Sequence, residues 1–329
     1  MNQEIEGSLS IKYKLYDEKA VVLSCTGTER YVRIPEDING KPIVSIGPYS
    51  FSSPEDNIRK LNEQEIYEYE IEGMDTPLSV KETIKGKKLQ VIYLPGHLER
   101  IGEYAFYNCT ELEHINLGEG GIDFGNGAFM NCDSLKELTF RTKCDSPTGL
   151  AGFLREIQSE LTVTFEGKDE KAVFIFPEYY EESVENTPAR VFHYQIHGAG
   201  YRYRQCLENG ILNISQYDML FQAPEIQNES RTALSIALCR LNYPAGLSEH
   251  YKQLYIKYLR LHKEDTIIRY LEENNTKGLS SLKLEDILTR DMMDFALKAS
   301  IRLKQPECTA VLLSLGEESR KAADHKFDL

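Results

Sequence analysis

The sequence has few of the features that mark an exported, membrane-bound or catalytic protein. No apolar run approaches the roughly 18–20 residues of a membrane span, so no transmembrane helix is expected. The start, Met1-Asn2-Gln3-Glu4-Ile5-Glu6, has neither the basic nor the apolar region of a secretory leader. It predicts a cytoplasmic protein, with a secreted or surface location as the alternative if a leader has been removed. Basic charge is short: 38 Lys and Arg stand against 52 Asp and Glu, a net charge of -14. Residues 1–200 hold 34 acidic and 20 basic side chains, while residues 201–329 hold 18 of each. The excess therefore lies wholly in the first part. Such a surface repels phosphate backbones and anionic lipid, so neither nucleic acid nor membrane is expected as a partner.

Chemistry-bearing motifs are missing too. There is no P-loop, dinucleotide-binding glycine motif, nucleophile elbow, zincin helix or EF-hand loop. Gly118-Glu119-Gly120-Gly121 precedes no helix N-terminus, and its glutamate would oppose a phosphate. The seven cysteines are odd in number, with no pair at C-x-x-C spacing and several inside apolar runs. Reduced, mostly buried thiols are expected rather than a disulfide framework. No cofactor and no metal site are expected, and the chain is read as a non-enzyme.

What the chain does have is a core and a repeat. Its 329 residues, 41% hydrophobic, are enough for two domains of ordinary size. Leu89-Gln90-Val91-Ile92-Tyr93-Leu94 leads to Ile101-Gly102, Ala105-Phe106 and Asn108-Cys109. Twenty-three residues later Leu112-Glu113-His114-Ile115-Asn116-Leu117 leads to Phe124-Gly125, Ala128-Phe129 and Asn131-Cys132. A third copy opens with Leu135, Leu138 and Phe140. A period in the twenties is a solenoid signal. Ile46, Gly47 and Phe51 lie 55 residues before Ile101, Gly102 and Phe106, which is one repeat of 23 plus an insertion of 32 at about residues 52–88. Ahead of them, Ala20-Val21-Val22-Leu23 and Tyr31-Val32-Arg33-Ile34, separated by Thr26-Gly27-Thr28, predict an atypical hairpin that caps the stack.

In each repeat Leu112, Ile115 and Leu117, or their equivalents, point inward from a short strand. The glycine permits a tight corner, Ala-Phe fills the convex layer, and Asn-Cys occupies the return turn. Leu94-Pro95, Ile101-Gly102, Ala105-Phe106, Cys109 and Leu112 resemble the BspA-type leucine-rich repeat of bacteria over roughly residues 12–140. The second copy departs from that phrasing with Gly118 and Phe124, and the first with Ser50. The resemblance implies a curved solenoid whose parallel strands line a ligand-facing surface, and a kinship with cell-surface adhesins. Beyond Phe140 the register of 23 recurs at Leu161 and Val163, after a helix over Pro147–Glu160, and Ala172–Phe176 is a buried strand.

At the junction Glu178, Glu181, Glu182 and Glu185 fall at i, i+3, i+4 and i+7, which predicts one acidic helical face. A divalent-metal or basic-peptide site is the sharp reading; a solvated face after Pro177 is preferred, since no ligand-spaced His, Cys or Asn accompanies it. Tyr201-Arg202-Tyr203-Arg204 is expected as a strand with Arg202 and Arg204 meeting these glutamates, rather than as a nucleic-acid stripe. His193 and His197 on a strand would stand about 13 Å apart, too far for one metal.

Helical patterns follow: Gln216–Ala223 opened by Ser215 and Asp218, Glu229–Leu241 capped by Asn228, and a third capped by Ser248. A helix with Ile267, Ile268 and Leu271 is expected to end at Lys277-Gly278, ahead of Thr289-capped Arg290–Leu303 and Glu307–Leu315 opened by Pro306. The last pair weakly resembles ankyrin-type helix hairpins. The expected architecture is α+β: a solenoid over residues 1–190, then a linker strand region and α-helical domain over 191–329. The expected function is a protein-interaction scaffold with another protein as partner. Alternation exposes Gln90, Val91, Tyr93, Glu113, His114, Asn116, Lys136, Glu137 and Thr139 for it. A surface adhesin, and an enzyme using the 178–185 carboxylates with Arg202 or Arg204, are the alternatives. The oligomeric state is left open.

Overall fold

The computed structural model describes residues 7–52, 66–73, 80–186 and 191–324. The chain forms two compact units, residues 1–226 and 227–329. The fold is α+β, a solenoid of about five turns with a C-terminal helical region.

The solenoid has two sheets. One carries the strand face: β3 (Tyr31–Arg33), β8 (Val91–Tyr93), β10 (His114–Leu117), β12 (Glu137–Phe140), β13 (Leu161–Glu166) and β14 (Lys171–Phe176). All pair in parallel except β13 with β14. The other runs through β1 (Leu9–Tyr16), β2 (Lys19–Gly27), β5 (Lys41–Ile46), β9 (Arg100–Ile101) and β11 (Asp123–Phe124). Short β4 (Asp37–Ile38) pairs with β5. Within the expected insertion, β6 (Tyr67–Ile71) adds to β1 and β7 (Glu82–Thr83) to β2. Residues 53–65 and 74–79 of that insertion lie outside the described residues.

The 23-residue period is a physical register. His114 pairs with Val91 and with Glu137, so Ile92, Ile115 and Leu138 form one fully buried column. On the convex side Phe51, Phe106 and Phe129 stack at 5.1 and 5.3 Å between ring centroids. The glycine before each phenylalanine turns out to serve close approach rather than a special φ. A Cβ on Gly102 would lie 2.6 Å from Pro48 N, and one on Gly125 would overlap Glu103 N. The return-turn asparagines do take left-handed φ, 59° at Asn108 and 62° at Asn131, and Asn131 Nδ2 donates to Asn108 Oδ1 at 2.7 Å. Cys109 and Cys132 each donate a thiol hydrogen to the carbonyl of the preceding rung's phenylalanine, at 3.2 Å.

Three solenoid expectations change. The capping hairpin is β1–β2, turned by Asp17 and Glu18 at φ 47° and 65°; β2 and β3 belong to different sheets. Next, β13 pairs with a shift of 25, Leu138 opposite Val163, where a shift of 23 was expected. The helix α1 (Leu150–Glu156) lengthens that rung by two residues, which preserves the inward face. Finally, α1 supplies the ends of the convex ladders. Phe153 stacks on Phe129 at 4.3 Å, and Glu156 Oε2 accepts from Phe129 N at 2.7 Å, where each earlier rung offers a carbonyl.

After β14 come the hairpin β15 (Tyr180–Asn186) and β16 (Val191–His197), helix α2 (Gly200–Arg204), the pair β17 (Leu207–Glu208) and β18 (Ile211–Leu212), and helices α3 (Ile214–Leu220) and α4 (Pro224–Asn228). The Tyr217 hydroxyl from α3 accepts from Ile175 N at 3.0 Å and donates to Ile175 O at 2.6 Å, which closes the edge of β14. These contacts carry the first compact unit to residue 226, past the division expected at 190/191.

The second unit is built from α5 (Ser230–Asn242), α6 (Glu249–Leu261), α7 (Lys263–Glu272), α8 (Thr276–Leu284), α9 (Arg290–Arg302) and α10 (Pro306–Asp324). α5 packs on α6, α6 on α7, α7 on α8 and α9 on α10, with further contacts of α7 on α9 and α8 on α10. Ser248 caps α6 and Pro306 opens α10 as expected. Other caps differ. In the first unit Asn213, not Ser215, caps α3 by accepting from Gln216 N; in the second, Glu229 precedes α5, with no side-chain cap. Lys277-Gly278 does not end α7; Asn275 caps α8 there, because Gly278 lets the helix lie against the Tyr270 ring.

Candidate functional site

The strand face is a grid set by register. One column runs Tyr31, Val91, His114, Glu137, Thr162, and the next runs Arg33, Tyr93, Asn116, Thr139, Thr164. The side chains interact across rungs. The Arg33 guanidinium lies over the Tyr93 ring, 4.2 Å from its centroid, and Tyr93 meets His114 edge-on at 6.2 Å. His114 Nε2 is hydrogen-bonded to Thr139 Oγ1 at 3.0 Å, while its Nδ1 stands 3.9 Å from Glu137. Gln90 Nε2 donates to Glu113 Oε1 at 3.0 Å.

Of the nine residues expected to be exposed, Lys136 and Glu137 are exposed and Gln90, Val91, Tyr93, Glu113 and His114 are half-buried. Asn116 and Thr139 are buried, at 8% and 7% exposure, although both belong to the outward column between Tyr93 and Thr164. Asn116 Oδ1 has no hydrogen-bond partner among the described residues. Burial holds the His114 imidazole below its ordinary pKa, against the opposing pull of Glu137 and then Glu166. At neutral pH this histidine is an uncharged donor–acceptor rather than a cation.

Sequence alternation missed the first rung. Tyr31 is 60% exposed and Arg33 caps the Tyr93 ring, so both belong to the face. The signal was present, since Tyr31-Val32-Arg33-Ile34-Pro35 aligns with Val91-Ile92-Tyr93-Leu94-Pro95. Arg141 was also overlooked; at the rim of the face it donates to Leu94 O at 2.7 Å and stands 3.6 Å from Glu36.

The junction residues do not converge. Glu181, Glu182 and Glu185 lie on strand β15 rather than a helix, so alternation puts Glu181 and Glu182 on opposite faces. The side chain of Glu185 lies outside the described residues. Glu178 precedes the strand and lines a cleft of about 670 Å³ with Asp133, Glu156 and Tyr180. Tyr201–Arg204 is helix α2, not a strand. Arg202 pairs with Glu225 at 3.6 Å. Arg204 is buried, and its guanidinium donates to the carbonyls of Ile157, Ser159, Pro177 and Gly200. Burial lowers its pKa to about 10, with Tyr179 and Glu178 opposing that shift. His197 and Glu182 meet at 3.0 Å, and His197 stacks on Tyr180 at 4.7 Å. Among the described residues no group of three His, Cys, Asp or Glu is placed to hold a metal, and no helix is long and apolar enough to cross a membrane.

Comparison with known proteins places the repeat. The model of the BspA type leucine rich repeat region (6 copies) matches residues 80–149. Among solved structures, a leucine rich cell surface protein from Faecalibacterium prausnitzii A2-165 is 21% identical, with a TM-score of 0.25. The match covers 41% of this chain and 32% of that one. Comparison with curated proteins gives no match. The family model falls on β8 to β12, the rungs that carry Tyr93, His114, Asn116 and Thr139. The chain thus carries a BspA-type leucine-rich repeat region at residues 80–149.

Proposed function

We propose that the chain is a non-enzymatic binding module whose strand face, from Tyr31 and Arg33 across Tyr93 and His114 to Lys136 and Glu137, docks another protein. The observation that carries this reading is the grid itself. Its backbone repeats rung after rung, yet its outward side chains form a mixed aromatic, cationic and acidic surface held in place by contacts between rungs. Rigid aromatic and arginine groups set on regular elements are what a protein interface uses, because little side-chain entropy remains to be lost on docking. The alternative of an enzyme at the junction loses its support once Arg204 is spent on carbonyls and the glutamates are divided between two strand faces.

Replacing Tyr93, His114 and Glu137 together by alanine should abolish capture of the partner that wild-type protein retains from its native extract. The melting temperature should fall by no more than about 4 °C, the scale of surface substitutions. Capture by the triple variant equal to wild type would refute the assignment. For location, display at a cell surface is the reading that the resemblance to adhesin repeats supports, and the cytoplasm is the other. Fractionation of the source cells with an antibody to the helical unit decides between them.

A further inference from the structure

We propose that an open cleft of the helical unit binds a small amphipathic carboxylate, a ligand with a hydrocarbon body and one anionic head. The cleft measures about 720 Å³ and is lined entirely by residues between Leu241 and Ile287. That volume lies inside the range of roughly 300–1,000 Å³ typical of small-molecule sites. It is distinct from the strand face and rests on none of the arguments made for it.

The walls are built and held. The fully buried Arg240 donates from Nη1 to Tyr243 O at 3.1 Å and from Nη2 to Ala245 O at 3.0 Å. That fixes the loop between α5 and α6, which forms one wall. Tyr270 is tied to the same loop's start, its hydroxyl donating to Asn242 Oδ1 at 3.0 Å, and Asn275 N donates to Tyr270 O at 2.9 Å. Gly278 packs against the Tyr270 ring so closely that a Cβ there would stand 2.5 Å from it. Burial raises the Tyr270 phenol to about 12, so it stays neutral and brings no negative charge to the wall.

The lining gives the ligand its chemistry. Leu241, Pro244 and Leu247 give the space an accessible apolar floor, backed by the fully buried Leu259, Leu282 and Ile287, which favours a hydrocarbon body. Lys252 and Lys277 line the same space, against the single carboxylate of Glu285. Lys252 is only loosely engaged, 3.9 Å from Glu249 with both side chains exposed, and Lys277 has no ion pair among the described residues. Two ammonium groups over an apolar floor favour an anionic head and disfavour an amine.

The test is calorimetric and thermal titration of the full chain with sodium octanoate, octylamine and sodium phosphate. Octanoate should give a saturating heat and raise the melting temperature, while octylamine and phosphate should do neither. In the Lys252→Met/Lys277→Met double variant, octanoate affinity should fall by about tenfold or more, the size expected for lost charge-assisted bonds. Octylamine binding as tightly as octanoate would overturn the proposal, as would an absence of octanoate binding or undiminished affinity in the double variant. Should that variant fail to fold, the contrast between octanoate and octylamine on the wild-type chain decides alone.

Discussion

Two sets of columns run along the same solenoid and obey different rules. Inward, Ile92, Ile115, Leu138 and Val163 are all aliphatic, and Phe51, Phe106, Phe129 and Phe153 are the same residue four times. Outward, at the same register, Tyr31, Val91, His114, Glu137 and Thr162 are five different side chains. An inward side chain packs on a copy of itself in the next rung, so one good shape is reused. An outward side chain has no such constraint from the fold. Repetition therefore marks what holds the solenoid, and its breakdown marks where a partner can be specified.

The sharpest way to break this contrast is at Phe106. Its ring lies between those of Phe51 and Phe129 and is fully buried. Phe106→Ala should cost about 3–5 kcal/mol, from lost burial, the cavity left behind and the broken stack. Denaturant unfolding monitored by circular dichroism measures it. If the cost did not exceed that of a single alanine substitution on the outward column, such as Val91→Ala, the division between the two sets would fail.

The second prediction concerns the end of the ladder, where the repeat stops. Arg204 feeds four carbonyls: Ile157 and Ser159 in the segment after α1, Pro177 just after β14, and Gly200 in α2. Arg204→Met keeps much of the buried stem but leaves those acceptors without a charged donor. A loss of about 2–3 kcal/mol is expected for unpaired buried groups. Arg202→Met, which breaks only an exposed pair with Glu225, should cost under about 1 kcal/mol. Equal losses at the two arginines would mean that the carbonyl cluster does not organise the junction.

The same boundary separates what the sequence made legible from what it did not. The rungs were readable because Leu112, Ile115 and Ala128-Phe129 each reappear at a fixed distance, and packing on a copy demands that. The strand face followed from alternation, apart from Arg33 and Tyr31, whose rung is separated from the next by the insertion, and from Asn116 and Thr139, which are buried. The junction was misread because Glu178, Glu181, Glu182 and Glu185 carry helical spacing without an apolar stripe to match. A polar pattern alone does not choose between helix and hairpin; pairing with Val191–His197 did. The stand-in role of Glu156 and the carbonyl cluster of Arg204 are single events in space, and nothing recurs in sequence to reveal them.

Glu156 gives a smaller effect. Its carboxylate occupies the place of a rung carbonyl, so Glu156→Ala leaves Phe129 N unpaired and should cost about 1–2 kcal/mol. Glu156→Gln retains an acceptor oxygen and should recover most of that loss. Because only the last rung is affected, hydrogen exchange should quicken at Phe129 and leave the Phe51 and Phe106 amides unchanged. These amides donate to Ala105 and Ala128 within the ladder. Uniform quickening along the ladder would show that the carboxylate is no local cap.

The smallest effect is on the outward column itself, and it depends on pH. His114 titrates lower in the folded chain than an unfolded histidine, whose pKa is about 6.5, because partial burial disfavours the cation. A group whose folded pKa is depressed in this way binds protons more readily once the chain unfolds. Its contribution to stability is therefore complete above about pH 6.5 and is lost as pH falls through the lower folded value. Protonation also places a second proton on an imidazole whose Nε2 is already bound to Thr139, while Glu137, 3.9 Å from Nδ1, offsets part of the cost. The difference in melting temperature between wild type and His114→Asn should therefore narrow on going from pH 7.5 to pH 5. Proton titration of the His114 ring by NMR should give a midpoint below that of the free side chain. A midpoint above it would mean that Glu137 outweighs burial, and would overturn the reading of His114 as an imidazole whose cation is disfavoured on this face.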